Sequence, residues 1–156
     1  MDDYANELNS AMINVYDLIS RLEEQMVSDL SNMKLNIREL HMIEYIADSE
    51  NGRTLSEIAH QTGITPPSVT IAIQKLQKRG FVEKVKRSTD GRQVHVILTR
   101  MGQKINAAHR YYHLKMMRKV AGTLSSEEKD TLLSGLGKLA VFFDATINNN
   151  KRNTYL

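Results

Sequence analysis

Apolar side chains recur in steps of three and four at Leu8, Met12, Val15, Ile19, Leu22 and Met26. That spacing predicts one long amphipathic helix over residues 4–30. A second helix opens at Asn36, with Glu39 three residues later in a capping-box pattern and Leu40, Ile43 and Ala47 on its inner face. ADSENGR, residues 47–53, reads as a loop with an Asn-Gly turn. Thr54 and Glu57 then cap a short helix that Gly63 ends. Thr65 caps the next, and Pro66 and Pro67 fit its first turn, where backbone N–H groups have no helical partner. Val69, Ala72, Ile73 and Leu76 form its apolar face, and Gly80 stops it. The period then changes to two. Residues 81–85 and 94–98 read as strands of a hairpin joined around Asp90-Gly91.

From Thr99 a helix carries Met101, Ile105, Ala108, Tyr112, Met116 and Val120 on one face. The run Ser125-Ser126-Glu127-Glu128 caps a last helix, expected to turn Leu132, Leu133, Leu136, Leu139, Ala140, Phe143 and Ile147 inward. The polar tail NNNKRNTYL is expected to fray. The class is mainly α: six helices and a small β-hairpin wing. Three segments are expected in one compact chain: a dimerisation helix over 1–34, a winged helix-turn-helix over 35–99, and closing dimerisation helices over 100–156. A plain capped helical hairpin is the simpler alternative for the middle, but it leaves the following strands and the local charge unexplained.

The charge matters through its position. The net charge of +3 is small, yet Lys75, Lys78, Arg79, Lys84, Lys86, Arg87 and Arg92 crowd residues 75–92 against only Glu83 and Asp90. The second helix of a helix-turn-helix enters the DNA major groove with its N-terminal residues leading. Here that end offers Thr65, Pro66, Pro67, Ser68, Thr70, Gln74 and Lys75, with Thr54 at the head of the preceding helix. Hydroxyls, amides and ammonium groups are what phosphates and base edges accept. In the wing, RSTDGRQ places Asp90 two residues before Arg92. Arg92 suits the negative potential of a narrow minor groove, Asp90 can brace it, and Lys86 and Arg87 can hold phosphates. A surface ion pair in a turn is the plainer reading of the same residues.

Other functions find little support. There is no cysteine, which excludes disulfides, thiol catalysis and cysteine metal sites. No Gly-rich phosphate loop or Ser/His/Asp set is present, so an enzyme is not expected. No run approaches the roughly 18 apolar residues of a membrane span, and the acidic start lacks the form of a secretory signal, so a cytoplasmic protein without membrane contact is expected.

The run Asp90-x-Arg92 followed by Leu98-Thr99 resembles the wing signature of the MarR family of bacterial transcriptional regulators. The likeness extends over nearly the whole chain, through LNIRELHMI, the helix-turn-helix, the wing and the two closing helices. It implies an obligate homodimer whose first and last helices pair between subunits. It further implies a repressor that binds double-stranded DNA at a pseudo-palindromic operator, with affinity set by an effector. A symmetric dimer predicts half-sites about one helical turn (~34 Å) apart. By the same resemblance Arg92 is the wing arginine, and Thr65 to Lys75 hold the base-reading positions. Pro66-Pro67 departs from the usual family pattern at the leading contacts.

Two effector readings stay open. His109 and His113 lie four apart on one helix face, a spacing that suits a metal. With His41 and Glu23 or Glu24, they resemble the ligand set of zinc-responsive members. IRELHMIEYI, VHVILT and YYHLKMM also resemble the fatty-acid-synthesis repressors of the family. Tyr16, Met42, Tyr45, Tyr112, Met116 and Met117 would then line a flexible apolar cavity for an acyl-type ligand. In the plain reading these histidines and methionines simply pack. A function of another class, a helical protein-interaction module without DNA binding, uses the same amphipathic helices.

Overall fold

The computed structural model describes residues 2–29, 35–86 and 93–153. The chain forms two compact units, Met1–His109 and Arg110–Leu156. The first holds α1 (Asp2–Asp29), α2 (Ile37–Ala47), α3 (Leu55–Thr62), α4 (Pro66–Lys78) and the opening turns of α5 (Arg100–Gly122). It also holds three strands, β1 (Arg53–Thr54), β2 (Val82–Lys86) and β3 (Val94–Leu98). The strands are antiparallel in the order β1-β3-β2, with Arg53 opposite Val96 and Lys84 opposite that same residue on the other side.

Each helix start is set by a local side chain. Asn36 Oδ1 accepts from the Glu39 N–H at 2.9 Å, and the Asn36 N–H donates to Glu39 Oε2 at 3.1 Å. Thr54 and Glu57 repeat the reciprocal pattern at α3, where Glu57 Oε2 accepts from the Thr54 N–H at 2.7 Å. Such boxes satisfy two otherwise orphaned donors, and losing the capping side chain costs about 1 kcal/mol. Gly63 ends α3 at φ 68°, a left-handed conformation that glycine adopts without Cβ strain.

The core follows the helical period. Val69, Ile73 and Leu76 on α4 are fully buried, as are Leu40, Ile43 and Ile46 on α2, Ile58 on α3 and Val96 on β3. Burying each such side chain contributes about 1.5–3 kcal/mol, which holds α4 against the rest of the unit and fixes its opposite face outward. Ala72, expected in the buried face, is only half-buried.

Two expectations need correction. Arg53 and Thr54, read as loop and cap, also form a third strand against β3. Two residues are too few for alternation to show in sequence; only their partner on β3 makes them a strand. The apolar face of α6, expected to turn inward, stands on the surface of the single chain, as does that of α1, expected as a dimerisation helix. Tyr4, Ile13 and Leu18 are exposed on α1, as are Leu132, Leu133, Leu136, Phe143 and Ile147 on α6 (Ser126–Asn153). The physical reason is the same in both: within its own unit, neither stripe has a facing layer to cover it.

The second unit comprises the remainder of α5 and α6. Ser125 caps α6: its Oγ accepts from the Glu128 N–H at 3.2 Å, while its own N–H donates to Glu128 Oε2 at 2.8 Å.

Candidate nucleic-acid interface

The helix-turn-helix is built by α3, the Gly63 turn and α4. Thr65 caps α4, accepting from the Ser68 N–H at 3.4 Å, and Pro66 and Pro67 occupy the first two helical positions. With Val69, Ile73 and Leu76 turned inward, the outward face presents Pro67, Ser68, Ile71, Gln74, Lys75 and Lys78, all exposed. No acidic residue lies anywhere on α4.

The hydroxyls predicted to read DNA are largely engaged within the fold. Thr54 Oγ1 donates to Glu57 Oε2 at 2.9 Å. The Thr70 hydroxyl donates to the Pro66 carbonyl at 3.0 Å. Thr65 and Ser68 share one hydrogen bond at 2.9 Å between their hydroxyls. Gln74 and Lys75, by contrast, make no side-chain hydrogen bond or ion pair among the described residues. Their donors and acceptors face solvent from the middle of α4.

The basic cluster also divides. Lys75, Lys78 and Lys86 are exposed. Arg79 is not free charge: its guanidinium donates to both Glu39 oxygens at 3.1 and 3.2 Å and lies 5.1 Å over the Phe81 ring. Sequence proximity counted Arg79 in the basic cluster of residues 75–92, whereas tertiary pairing assigns it to bracing the end of α4 on α2. Arg87, Asp90 and Arg92, the predicted wing contacts, lie outside the described residues.

Thr99 ties the base of the hairpin to α5. Its N–H donates to the Phe81 carbonyl at 3.1 Å, its hydroxyl donates to the Gly80 carbonyl at 2.5 Å, and that hydroxyl accepts from the Gly102 N–H at 3.2 Å. The sheet register and the first turn of α5 are therefore fixed together.

The candidate effector residues fall on α1, α2 and α5. His41 Nε2 lies 3.5 Å from Glu23 Oε1, and the His41 and His109 rings are 5.8 Å apart. His109 is 1% exposed, with its Nδ1 3.5 Å from a carboxylate oxygen of Glu44. Glu44 was missed; its place three residues after His41, on the same face of α2, was the available signal. Glu24 is exposed on α1. In the second unit, His113 contacts Tyr112 edge-on with ring centroids 6.0 Å apart. Met116 is half-buried and Met117 exposed.

Among the expected cavity residues, Met42 is buried in the core, Tyr16 is exposed and Tyr45 packs under Arg53, whose guanidinium carbon is 4.6 Å from its ring centre. The first unit does hold a cavity of about 360 Å³, lined in part by Ile46, Ile97, Leu98, Gln103 and Asn106, but none of the six expected residues lines it.

A polar, acid-free helix face presented by a capped helix-turn-helix, with an antiparallel sheet behind it, defines a winged helix-turn-helix protein. Comparison with known proteins agrees. A sequence model of the MarR family matches residues 32–93. An HTH-type transcriptional regulator of Bacillus subtilis, YhjH, is 31% identical over 85 residues, covering 54% of this chain and 48% of that protein, so the chain spans about half its length. An HTH-type transcriptional regulator of Mycobacterium bovis, Mb0904, is 26% identical over 126 residues, covering 81% of this chain and 87% of that protein. The crystal structure of Streptococcus pneumoniae FabT in complex with DNA superposes with a TM-score of 0.85 at 26% identity, covering 90% of this chain and 98% of FabT. The chain is thus similar to transcriptional regulators of the MarR family, whose sequence model matches its middle segment and whose fold it shares with FabT. No described helix is long and apolar enough to cross a membrane.

Proposed function

We propose that the protein is a sequence-specific DNA-binding regulator, a repressor that grips a pseudo-palindromic operator as a homodimer. The observation that carries this is the outward face of α4, with Gln74 and Lys75 uncommitted and no acid beside them. The likeness to FabT, solved with DNA, supports it. Gln74 has the carboxamide that reads adenine in the major groove, and Lys75, Lys78 and Lys86 supply phosphate contacts. From the sequence, Arg92, braced by Asp90, takes the minor groove. The exposed stripes on α1 and α6 support the dimer, because apolar surface of that extent on a single chain marks an interface.

The test is selection from random duplex DNA, followed by binding of the enriched site. Gln74→Ala should lose about 1–3 kcal/mol and relax the preference at one base pair per half-site. Lys75→Ala should weaken all sequences alike and reduce the salt slope by about one. Enrichment of no sequence, or a flat salt response, would sink the proposal.

A second reading concerns the effector. In the first unit Glu23 lies 3.5 Å from His41, and the His41 and His109 rings are 5.8 Å apart, a carboxylate and two imidazoles of the kind Zn²⁺ takes. Those residues would hold the ion, and its chemistry there is a cross-link between α1, α2 and α5. An effector of any kind acts only through its differential affinity for the DNA-competent state. Operator binding measured with zinc, with a long-chain acyl group and with neither separates the metal reading from the acyl one. A change with zinc that Glu23→Gln and His41→Gln both remove supports the metal. A change only with the acyl group rejects it.

A further inference from the structure

We infer that Ile71 reads thymine methyl groups in the major groove, an inference that rests on the DNA-binding reading above. Among the described residues of 35–99, Ile71 is the single large apolar side chain left strongly exposed, at 54%. The other large exposed apolar side chains lie on α1, α5 and α6.

Local structure gives no reason for an isoleucine there. A β-branched residue loses rotamer freedom in a helix and is a poorer helix former than alanine, leucine or lysine. Nor can a small rotation of α4 bury it, since Val69, Ile73 and Leu76 are already fully buried on the opposite side.

Its neighbours identify the surface it meets. Ile71 lies three residues from Ser68 and Gln74 and four from Pro67 and Lys75, all on the same outward face. A site for a protein partner needs a contiguous apolar patch. Ile71 instead stands as the one large apolar side chain among a carboxamide, a hydroxyl, a proline and a lysine. The floor of the major groove has the matching chemistry: hydrogen-bonding edges, flanking phosphates, and one apolar group, the C5-methyl of thymine. Gln74, one helical turn on, can take an adenine beside it. The pair predicts that each half-site carries a thymine next to the adenine that Gln74 reads.

The experiment replaces each thymine of the selected operator, one at a time, with uracil, which removes the methyl and keeps every hydrogen-bonding group. The wild-type chain should bind about fourfold more weakly at one position in each half-site, the factor that corresponds to the ~0.8 kcal/mol of one buried methyl-sized group. Ile71→Ala should bind the thymine duplex more weakly by a similar factor and be indifferent to uracil at that position. Ile71→Val, which keeps a methyl facing the groove, should stay sensitive. Because the side chain is exposed, these variants fold, and their thermal midpoints should match the wild type. If uracil has no effect at any position, or weakens Ile71→Ala as much as wild type, the inference is overturned while the regulator stands. If the wild-type chain selects no duplex at all, the DNA-binding reading falls, and this inference falls with it.

Discussion

Gly102→Ala pits two physical effects against each other, and the structure decides the sign. Gly102 lies in the first turn of α5, where helix propensity alone predicts that alanine would stabilise by up to about 1 kcal/mol. Yet an added Cβ would sit 3.2 Å from the Phe81 carbonyl carbon and 3.3 Å from Leu98 Cβ, with the Phe81 carbonyl oxygen closer still and far inside contact distance. That oxygen is backbone and cannot swing aside. It also accepts from the Thr99 N–H at 3.1 Å and takes the longer branch, at 3.2 Å, of the Thr99 hydroxyl that is shared with the Gly80 carbonyl, so displacing it strains both contacts. Overpacking at such a site costs about 1–3 kcal/mol, and each weakened hydrogen bond adds about 1 kcal/mol. Set against the propensity gain, the net loss is about 3 kcal/mol, or roughly 6–12 °C in Tm for a chain of this size. Gly122→Ala is the control: its Cβ would meet nothing, and it should leave stability unchanged or slightly higher. The assay is thermal unfolding at one fixed protein concentration, since a dimer's midpoint depends on concentration. A Tm for Gly102→Ala equal to or above wild type would refute the close packing of α5 on the start of β2.

Three further outcomes follow from the geometry. Arg79→Ala should cost about 1–2 kcal/mol in urea unfolding, because it removes two charge-assisted hydrogen bonds to the half-buried Glu39, and Glu39→Ala should cost more because it also breaks the cap on α2; a loss under about 0.5 kcal/mol for both would dissolve this brace. The Glu57 carboxyl is held below its ordinary value of 4.5, first by the Thr54 backbone N–H and then by its hydroxyl, so its contribution is present above that value and lost as pH falls through the lowered one. Glu57→Gln should therefore show a shallower loss of stability below pH 4.5 than wild type, modest because the carboxyl is solvent-exposed, and identical profiles would contradict the assignment. Leu136→Glu, on the exposed stripe of α6, should halve the mass measured by light scattering; a dimer of undiminished affinity would place the interface elsewhere.

Much of this architecture was legible along the chain because it is written in local chemistry. Asn36 with Glu39, Thr54 with Glu57, Thr65 before two prolines, and Ser125 with Glu128 each mark a helix start within four residues. The interactions responsible span no more than that distance, so sequence alone fixes them. The same holds for the buried row of α4, which follows from the helical period and by elimination names its outward face. What needed the fold was every pairing across long separation. Arg79 counted as one more charge of the basic cluster, and only the fold sets it against Glu39, forty positions earlier. Thr54 became a strand residue only through His95. Glu44 joined the histidines only because α2 and α5 bring His41 and His109 together. The exposure of Ile71 belongs to both levels. Periodicity puts it opposite the core, but only the packed unit shows that none of its described residues covers it, because burial is a property of neighbours and not of residue type.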